Sequence, residues 1–426
     1  MRRNRVIVLA AFLTGIALAG LHASGEAEAS LPEIEFWTYA DNRAQWLEDI
    51  SVAFEEETGA DVTISVLPFA QMHDQLQSAL FAGTGAPDIV DVNIYQFGRF
   101  TTGERTGFVA LNDYLTASTV SDLYTSAALA PWTWEGEYYG LGNELNPTFM
   151  YYRWDLLEEA GIETPIETWE GFIEAGQQYV ERTGKLFTWV EPNAWQPWFF
   201  LSMDGGGFFD ESGEVAFDHE LGRRVLQMMH DWIYVHEIAG IAPLDPPAQY
   251  GALGAGDYAV TFGASWYQGF LKDNVSELSG KWMMQHQPVF EDGMGSEAGA
   301  VGGTAMLITE QAADPDLAWR FISYANLDTD NLAEAFRRFN LFPTYRPMWD
   351  DPVLYQPDAY FNGQKPGEWI SEAGSAIPAY NPSPYWFPIA PHFANNVLNP
   401  VVLGDMDVEQ AMREGMESAR ALLEDY

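Results

Sequence analysis

Aromatic side chains lie next to planar polar side chains at several places along the chain, in segments too polar or too broken for a simple core. With 16 Trp, 20 Tyr and 26 Phe, the chain has enough aromatic residues to line a binding site as well as a core. A pyranose has hydroxyls around its rim and C–H patches on its faces, so its receptor needs flat aromatic surfaces and amide or carboxylate groups. This composition predicts the chemistry of carbohydrate binding. The candidate segments contain Trp37 and Tyr39, Asn93 and Tyr95, Trp195, Gln196 and Trp198, Trp266 and Tyr267, and Tyr345 and Arg346.

Structural roles compete with ligand contact at several of these positions. Trp37 lies on an apolar strand and is explained as well by the core as by a ligand, whereas Tyr39 beyond it is the better contact. One of Trp195 and Trp198 is expected to be an aromatic platform, and the sequence does not separate the two. Asp88 is a candidate contact, although capping or a turn in GAPD explains it equally well.

The residue patterns of familiar catalytic and metal sites are absent from the sequence. His236-Glu237 lacks the second histidine of a zinc protease helix, and no Gly-x-Ser-x-Gly elbow or phosphate loop ending in Gly-Lys-Ser/Thr occurs. The spacing of the acidic residues Asp204, Asp210, Glu211 and Asp218 misses the EF-hand pattern, and residues 210–213 instead predict a hairpin turn. We therefore expect no catalytic residue, no metal site and no cofactor.

Strand and helix signals alternate through the first hundred residues and place the candidate residues at strand ends. Residues 34–37 and 62–66 predict strands, and the apolar pair Ile89-Val90 predicts a third. Helical periodicity between them stops at Thr58-Gly59 and at Gly83. This β-α-β-α-β order predicts a mostly parallel sheet covered by helices. Open parallel sheets bind ligands beyond the carboxyl ends of their strands, where Tyr39 and Asn93 stand.

The chain resembles the extracellular sugar-binding proteins of bacterial ABC importers, a broad family that includes maltose-, lactose- and arabinose-binding proteins. The resemblance rests on the order of EFWTYA, AFEEETG, VTISVLPF and GTGAPDIV, followed by YYGLGNELNPTFMYYRWDLLEEAGI, GAGDYAVTFGASW and AVGGTAMLITEQAADPDLAWRFISY. The later segments NLFPTYRPMWDDP and PDAYFNGQ are most similar to the lactose- and arabinose-binding branch.

This resemblance implies an α/β fold of the periplasmic binding protein type II-like class, with two discontinuous α/β lobes joined by a hinge. The first lobe would comprise residues 31–142 plus 302–326, and the second lobe residues 146–298 plus 330–426. At the crossings, Glu144 takes the place where the family often keeps an acidic sugar ligand. Trp266 takes the place of a family aromatic. Gly302 and Gly303 would let the backbone approach a ligand, although a crossing turn needs glycine too.

The beginning of the chain predicts export. Three arginines precede the apolar stretch VIVLAAFLTGIALAGL, which is shorter than the roughly 20 residues of a membrane-spanning helix. We expect a signal peptide at residues 1–23 and a flexible leader at 24–30. Because the chain contains no Cys, it offers neither disulfides nor a cysteine for lipid attachment, and we expect a soluble periplasmic protein.

The chain is strongly acidic, with 62 Asp and Glu against 20 Lys and Arg and a formal net charge of −42. Such a charge repels nucleic acid and anionic lipid surfaces, so we expect neither as a partner. The charge could attract a cationic ligand. We favour a solvated acidic surface suited to salty surroundings, where screening over about 3 Å at 1 M salt suppresses self-repulsion.

The sequence as a whole predicts a monomeric periplasmic receptor that captures a neutral mono- or oligosaccharide between its lobes and closes by hinge bending. The resemblance implies delivery of the sugar to the transmembrane subunits of an ABC permease. Two alternatives stay open. A secreted glycoside hydrolase would also be rich in tryptophan and carboxylates, and the same fold could bind a cationic or amino-acid-like solute in an aromatic cage.

Overall fold

The computed structural model describes residues 31–115, 123–204, 207–299, 301–378 and 381–424. The predicted signal peptide and leader lie outside the described residues. Residues from Pro32 onward pack as one compact unit, so the boundaries between the two expected lobes stay a prediction. Across the described ranges, no helix combines the length and the apolar character needed to cross a bilayer.

The larger sheet has five strands in the order β2-β1-β3-β12-β6. Its first three strands pair in parallel, as predicted, with Phe36 opposite both Ile64 and Ile89. β12 runs antiparallel to β3, because the chain re-enters this sheet beside Asn93 and must then run back along β3. β6 pairs antiparallel with β12 and so runs in the same direction as the first three strands. The strands are β1 Glu33–Thr38, β2 Asp61–Val66, β3 Ile89–Asn93, β6 Gly140–Gly142 and β12 Thr304–Ile308.

A smaller antiparallel sheet has the strand order β10-β7-β11. Its central strand β7 is buried along its whole length, so both of its faces pack against other elements. Two further pairs complete the strands, a parallel pair β8-β9 and a hairpin β4-β5. The bounds are β4 Thr133–Trp134, β5 Glu137–Tyr138, β7 Thr148–Arg153, β8 Thr188–Val190, β9 Ala239–Ile241, β10 Val260–Ala264 and β11 Trp282–His286.

The helices begin and end where local signals place them. Gly59 and Gly83 end the first two long helices in the left-handed conformation, at φ of 71° and 70°. Asp314 accepts a hydrogen bond from the amide of Leu317, with Pro315 in the first helical position, as predicted. The helices are α1 Asp41–Thr58, α2 Phe69–Ala82, α3 Ile94–Phe97, α4 Ser126–Leu129, α5 Trp154–Glu159, α6 Trp169–Thr183, α7 Trp195–Leu201, α8 Glu220–Tyr234, α9 Pro246–Ala255, α10 Tyr267–Asn274, α11 Pro315–Asn326, α12 Thr329–Phe339, α13 Pro366–Ala376, α14 Trp386–Phe393, α15 Asn399–Val402 and α16 Val408–Leu423.

Candidate functional site

The carboxyl ends of β1 and β3 and the start of β12 bring three polar side chains together. The hydroxyl of Tyr39 is hydrogen-bonded to the hydroxyl of Thr304. The side-chain amide of Asn93 donates to the Tyr39 hydroxyl at 3.3 Å, and its oxygen accepts from the amide of Tyr95 at 3.1 Å. Burial raises the pKa of Tyr39 above its usual range, so this hydroxyl stays neutral and can both donate and accept. The structure thus brings two predicted residues, Tyr39 and Asn93, into one polar edge.

His73 on α2 holds the end of β3 in place. Its Nδ1 lies 2.7 Å from the carbonyl oxygen of Phe69, and its Nε2 lies 3.3 Å from the backbone nitrogen of Asn93. Because a carbonyl accepts and an amide donates, the ring must be the neutral tautomer with its proton on Nδ1. Burial lowers the pKa of His73 to about 4, in agreement with a neutral ring at physiological pH.

A small, partly open cavity adjoins this edge. It has a volume of about 30 Å³ and is lined by residues of both expected lobes, and such a volume holds about one water molecule. Three sequence-predicted residues, Glu144, Gly302 and Gly303, line it together with Thr304. Gly302 has a φ of +82°, a conformation that side chains other than glycine rarely adopt.

Glu144 lies half-buried at the cavity, and opposing effects act on its carboxylate. Burial raises its pKa above the usual range, while the charge of Arg43 and the amide of Asn146 lower it. Arg43 is already paired with the buried carboxylate of Asp91, at 2.9 Å between Nε and Oδ2. Thr38 also donates to that Oδ2, at 2.6 Å. A carboxylate that burial destabilises beside a cavity is characteristic of a binding site.

Asn143 adds an amide whose hydrogen-bonding capacity is unused within the described part of the chain. The residue is 7% exposed, and neither side-chain atom has a hydrogen-bond partner among the described residues. A buried amide without partners costs about 1–3 kcal/mol. Asn143 itself is not among the residues that line the cavity, although Gly142 and Glu144 on either side of it are. Its neighbour Asn146 lines the cavity, and its side-chain oxygen accepts from Ser265 at 2.9 Å.

Trp266 and Tyr267 have different surroundings although they are adjacent. Trp266 is half-buried, and its Nε1 donates to the carbonyl of Val301 at 3.2 Å, beside the second crossing. Tyr267 is buried against Tyr151, with ring centroids 5.5 Å apart. Gly263 makes room for this packing, since a Cβ there would lie 2.6 Å from the Tyr267 ring. Trp266 therefore lies near the site, whereas Tyr267 is a core residue whose ring packs against other buried side chains.

Four aromatic side chains, here called the aromatic cluster, pack beside the polar edge. Tyr95 stacks on Trp386 with ring centroids 4.2 Å apart, and Trp195 contacts both rings. The Tyr95 hydroxyl accepts from the amide of Gly302 at 2.9 Å, which joins the cluster to the second crossing. Trp195 is 41% exposed, whereas Trp198 is fully buried. Of these two tryptophans, only Trp195 has a face available to a ligand. The cluster consists of Tyr95, Trp195, Trp198 and Trp386.

Three other predicted residues lie apart from this arrangement. Asp88 stands at the opposite end of β3 from Asn93, where its carboxylate accepts from the amides of Glu35 and Ala313, each at 2.8 Å. Those bonds join Asp88 to two distant backbone segments, so its carboxylate has a structural role there. Tyr345 packs near Tyr124, at 6.1 Å between ring centroids, and Arg346 is exposed at the start of a 3₁₀ turn.

Several residues at or near the site carry little or no signal in the sequence. Thr344, one residue before Tyr345, lines the cavity and donates to the carbonyl of Gly142. Trp386 lies in the aromatic segment NPSPYWFP, but its stacking on Tyr95 is not visible in the sequence, because the two residues are nearly three hundred positions apart. Asn143 and His73 carried no distinguishing local pattern. Trp37 is buried, which resolves its two interpretations in favour of the core.

Comparisons with known proteins agree on one family. The model described as bacterial extracellular solute-binding protein matches residues 49–359. An arabinooligosaccharide-binding protein of Halalkalibacterium halodurans is 32% identical, over 91% of this chain and 89% of that protein. An arabinooligosaccharide-binding protein of Bacillus subtilis is 26% identical over 83% of each chain. The sugar-binding protein MalE of Xanthomonas citri has a similar solved structure, with a TM-score of 0.78 at 19% identity, covering 92% of this chain and 98% of that one. This likeness confirms the predicted fold class.

Proposed function

The chain belongs to the bacterial extracellular solute-binding proteins, and we propose that it is the sugar-binding receptor of an ABC importer, with an arabinose-containing oligosaccharide as its ligand. The observation that carries this proposal is the small cavity where Glu144, Gly302 and Thr304 meet beside the aromatic cluster. Carboxylate, amide, hydroxyl and aromatic groups converge there, which is the set that a neutral sugar requires. The names of the two arabinooligosaccharide-binding relatives support the choice of ligand.

In this proposal the two lobes close on the sugar by bending at the three crossings. The cavity is lined by Ile94 and Gly142 of the proposed first lobe and by Asn146 and Thr344 of the proposed second lobe. Because its volume of about 30 Å³ holds little more than a water molecule, a sugar must enter while the lobes are apart. Contacts made to both lobes then favour the closed form, and this difference in affinity drives closure.

The polar contacts follow from the groups that point to the cavity or lack partners. The carboxylate of Glu144 would accept from sugar hydroxyls, and the amide of Asn143 would both donate and accept. Tyr39 and Asn93 would extend this hydrogen-bonding edge once the lobes separate. Trp266 and the exposed face of Trp195 would pack on the C–H faces of sugar rings.

The arrangement argues against the two rival functions. Of the carboxylates near Glu144, Asp91 is held by Arg43 and Thr38, so it is not available as the second acid of a glycoside hydrolase. An aromatic cage for a cation needs space between its rings. In the aromatic cluster Tyr95 and Trp386 stack directly on each other at 4.2 Å. We propose that the protein binds the sugar without a reaction.

Location and partners complete the proposal. The family is extracellular, and the arginine-rich, apolar beginning of the chain supports export to the periplasm with removal of residues 1–23. We further propose that the protein acts as a monomer and that its closed form docks on the transmembrane subunits of a permease, whose partner ATPase drives import.

Isothermal titration of the purified protein tests the ligand class. Arabinooligosaccharides should give saturable one-to-one heats, and lactose and maltose should bind more weakly. A cationic amino acid such as arginine serves as the probe for the rival solute class, and binding of arginine alone would overturn the proposal. Release of reducing ends during prolonged incubation with the same oligosaccharides would instead reveal a hydrolase.

A further inference from the structure

An open groove lies on the outside of the molecule next to the aromatic cluster. It has a volume of about 710 Å³ and runs between α2 and residues 384–388, which belong to different expected lobes. This is within the size range of ligand pockets, roughly 300–1,000 Å³. We call it the outer groove. Its lining includes Phe69, Asp74, Gln77, Gln96, Arg99 and Phe387.

One wall of the outer groove consists of planar polar side chains held in fixed positions. Arg99 donates to the carboxylate of Asp74 at 3.0 Å, to the amide oxygen of Gln77 at 2.5 Å and to that of Gln96 at 3.0 Å. Because these bonds occupy the amide oxygens, the amide nitrogen of Gln77 remains as a donor. The guanidinium joins these polar groups in one hydrogen-bonded network at the surface.

The other wall is aromatic. Phe69 and Phe387 have ring centroids 6.4 Å apart, and Phe387 is 40% exposed. An exposed ring opposite ordered amide and guanidinium groups repeats, at the surface, the combination of groups that a sugar ring requires. A groove for an extended apolar peptide would lack the ordered polar wall.

The outer groove lies beside the proposed binding site, and packed side chains separate the two. The ring of Phe69 contacts the ring of Tyr39 at 4.9 Å, and the hydroxyl of Tyr39 is bonded to Thr304, which lines the small cavity. Phe387 contacts Trp386 of the aromatic cluster at 5.3 Å. Because residues of both expected lobes line the groove, the end of a ligand held between the lobes would emerge there.

We propose that the outer groove is a subsite for the end of a bound oligosaccharide that emerges from between the lobes. The receptor then accepts chains longer than the closed lobes enclose, and each added sugar residue gains contacts with Phe387 and Gln77. This inference rests on the proposed function and extends it to the length of oligosaccharide that the receptor accepts.

A length series of arabinooligosaccharides, from the disaccharide to the hexasaccharide, tests the subsite by isothermal titration. The wild type should bind the longest member about tenfold more tightly than the shortest, the gain expected from one aromatic contact and one hydrogen bond. Phe387→Ala and Gln77→Ala should each reduce this gain and leave the affinity for the disaccharide unchanged within about twofold. Phe81→Ala is the matched control, since Phe81 is 96% exposed on α2 and does not line the groove.

The outcomes separate the subsite from the proposed function. Equal affinity for all lengths in the wild type, or an undiminished gain in both groove variants, overturns the subsite and leaves the receptor intact. Weakened binding of the disaccharide in both groove variants also overturns it, because the residues would then belong to the central site. An absence of binding at every length overturns the proposed function itself.

Discussion

Replacing Glu144 with glutamine should weaken sugar binding and stabilise the ligand-free protein at the same time. The side chain lies at the small cavity, and burial raises the pKa of its carboxyl. The ionised form is thus disfavoured by its surroundings and becomes useful only when a ligand donates hydrogen bonds to it. Glutamine keeps the shape of the side chain and removes the charge, so it isolates the contribution of the carboxylate.

The size of the binding effect follows from the hydrogen bonds that the carboxylate can accept. A bond to a charged group contributes about 1.5–3 kcal/mol, against about 1 kcal/mol for a neutral one. If both oxygens of Glu144 accept from sugar hydroxyls, the substitution removes about 2 kcal/mol, which is about a 30-fold loss of affinity. The stability effect has the opposite sign, because the buried charge is gone.

The pH dependence gives this prediction a second readout. A carboxyl whose pKa is raised by folding contributes stability that is fully present below its unfolded pKa and is lost as pH rises through the folded pKa. The wild type should therefore unfold at a lower temperature than Glu144→Gln at pH 7, and the two should converge near pH 4. The two converge there because pH 4 lies below the ordinary pKa of a glutamate carboxyl, about 4.3, so the carboxyl is largely protonated in both the folded and the unfolded protein.

Calorimetry measures both effects, by titration with an arabinooligosaccharide and by thermal unfolding without ligand. Glu137→Gln is the matched control, because the same substitution is then made at an exposed position on β5. The control should change neither quantity. Unchanged affinity in Glu144→Gln would refute the assignment of the carboxylate to the ligand, and a lower unfolding temperature at pH 7 would refute the argument from burial.

Three further predictions concern closure, the polar edge and the acidic surface. Gly98→Ala should reduce sugar affinity roughly fivefold or more, because the added Cβ would lie 2.4 Å from the carbonyl of Ser383 in the closed form. Titration with the sugar measures this loss. Gly103→Ala is the control, since the nearest atom to its added Cβ lies 3.7 Å away. Relative to His73→Gln, the wild type should lose up to about 3 kcal/mol of unfolding free energy between pH 6.5 and about 4, because in this range only the unfolded wild type takes up a proton on His73. Denaturant curves of both proteins at both pH values measure this loss. A difference in unfolding free energy between the two proteins that stays constant with pH contradicts it. The unfolding temperature should rise from low to molar NaCl as the net charge of −42 is screened, and a flat or falling curve would exclude salt adaptation.

Local signals in the sequence predicted the elements that carry the site. Gly59 and Gly83 end helices because the left-handed conformation suits glycine, and Asp314 caps a helix that begins with Pro315. Short apolar patterns predicted the three parallel strands in the same way, by alternation in the second strand and by the apolar pair Ile89-Val90 in the third, because such patterns involve only neighbours within a few positions. The antiparallel direction of β12 depends on where a distant segment returns to the sheet, which no local pattern encodes.

The binding residues were predicted less completely, because their roles depend on contacts between distant parts of the chain. Tyr39 meets Thr304 across 265 positions, and Tyr95 meets Gly302 across 207. Those contacts determine which aromatic ring faces the site. Trp195 and Trp198 look equivalent in EPNAWQPWFF, and only packing exposes the first and buries the second.

Titration of the full-length mature protein with an arabinooligosaccharide, followed by small-angle X-ray scattering with and without it, tests the central claim most directly. The account predicts saturable one-to-one binding and a smaller radius of gyration at saturation than in an open, ligand-free state. Silence across arabinooligosaccharides and other neutral sugars, with identical scattering in every sample, would contradict it.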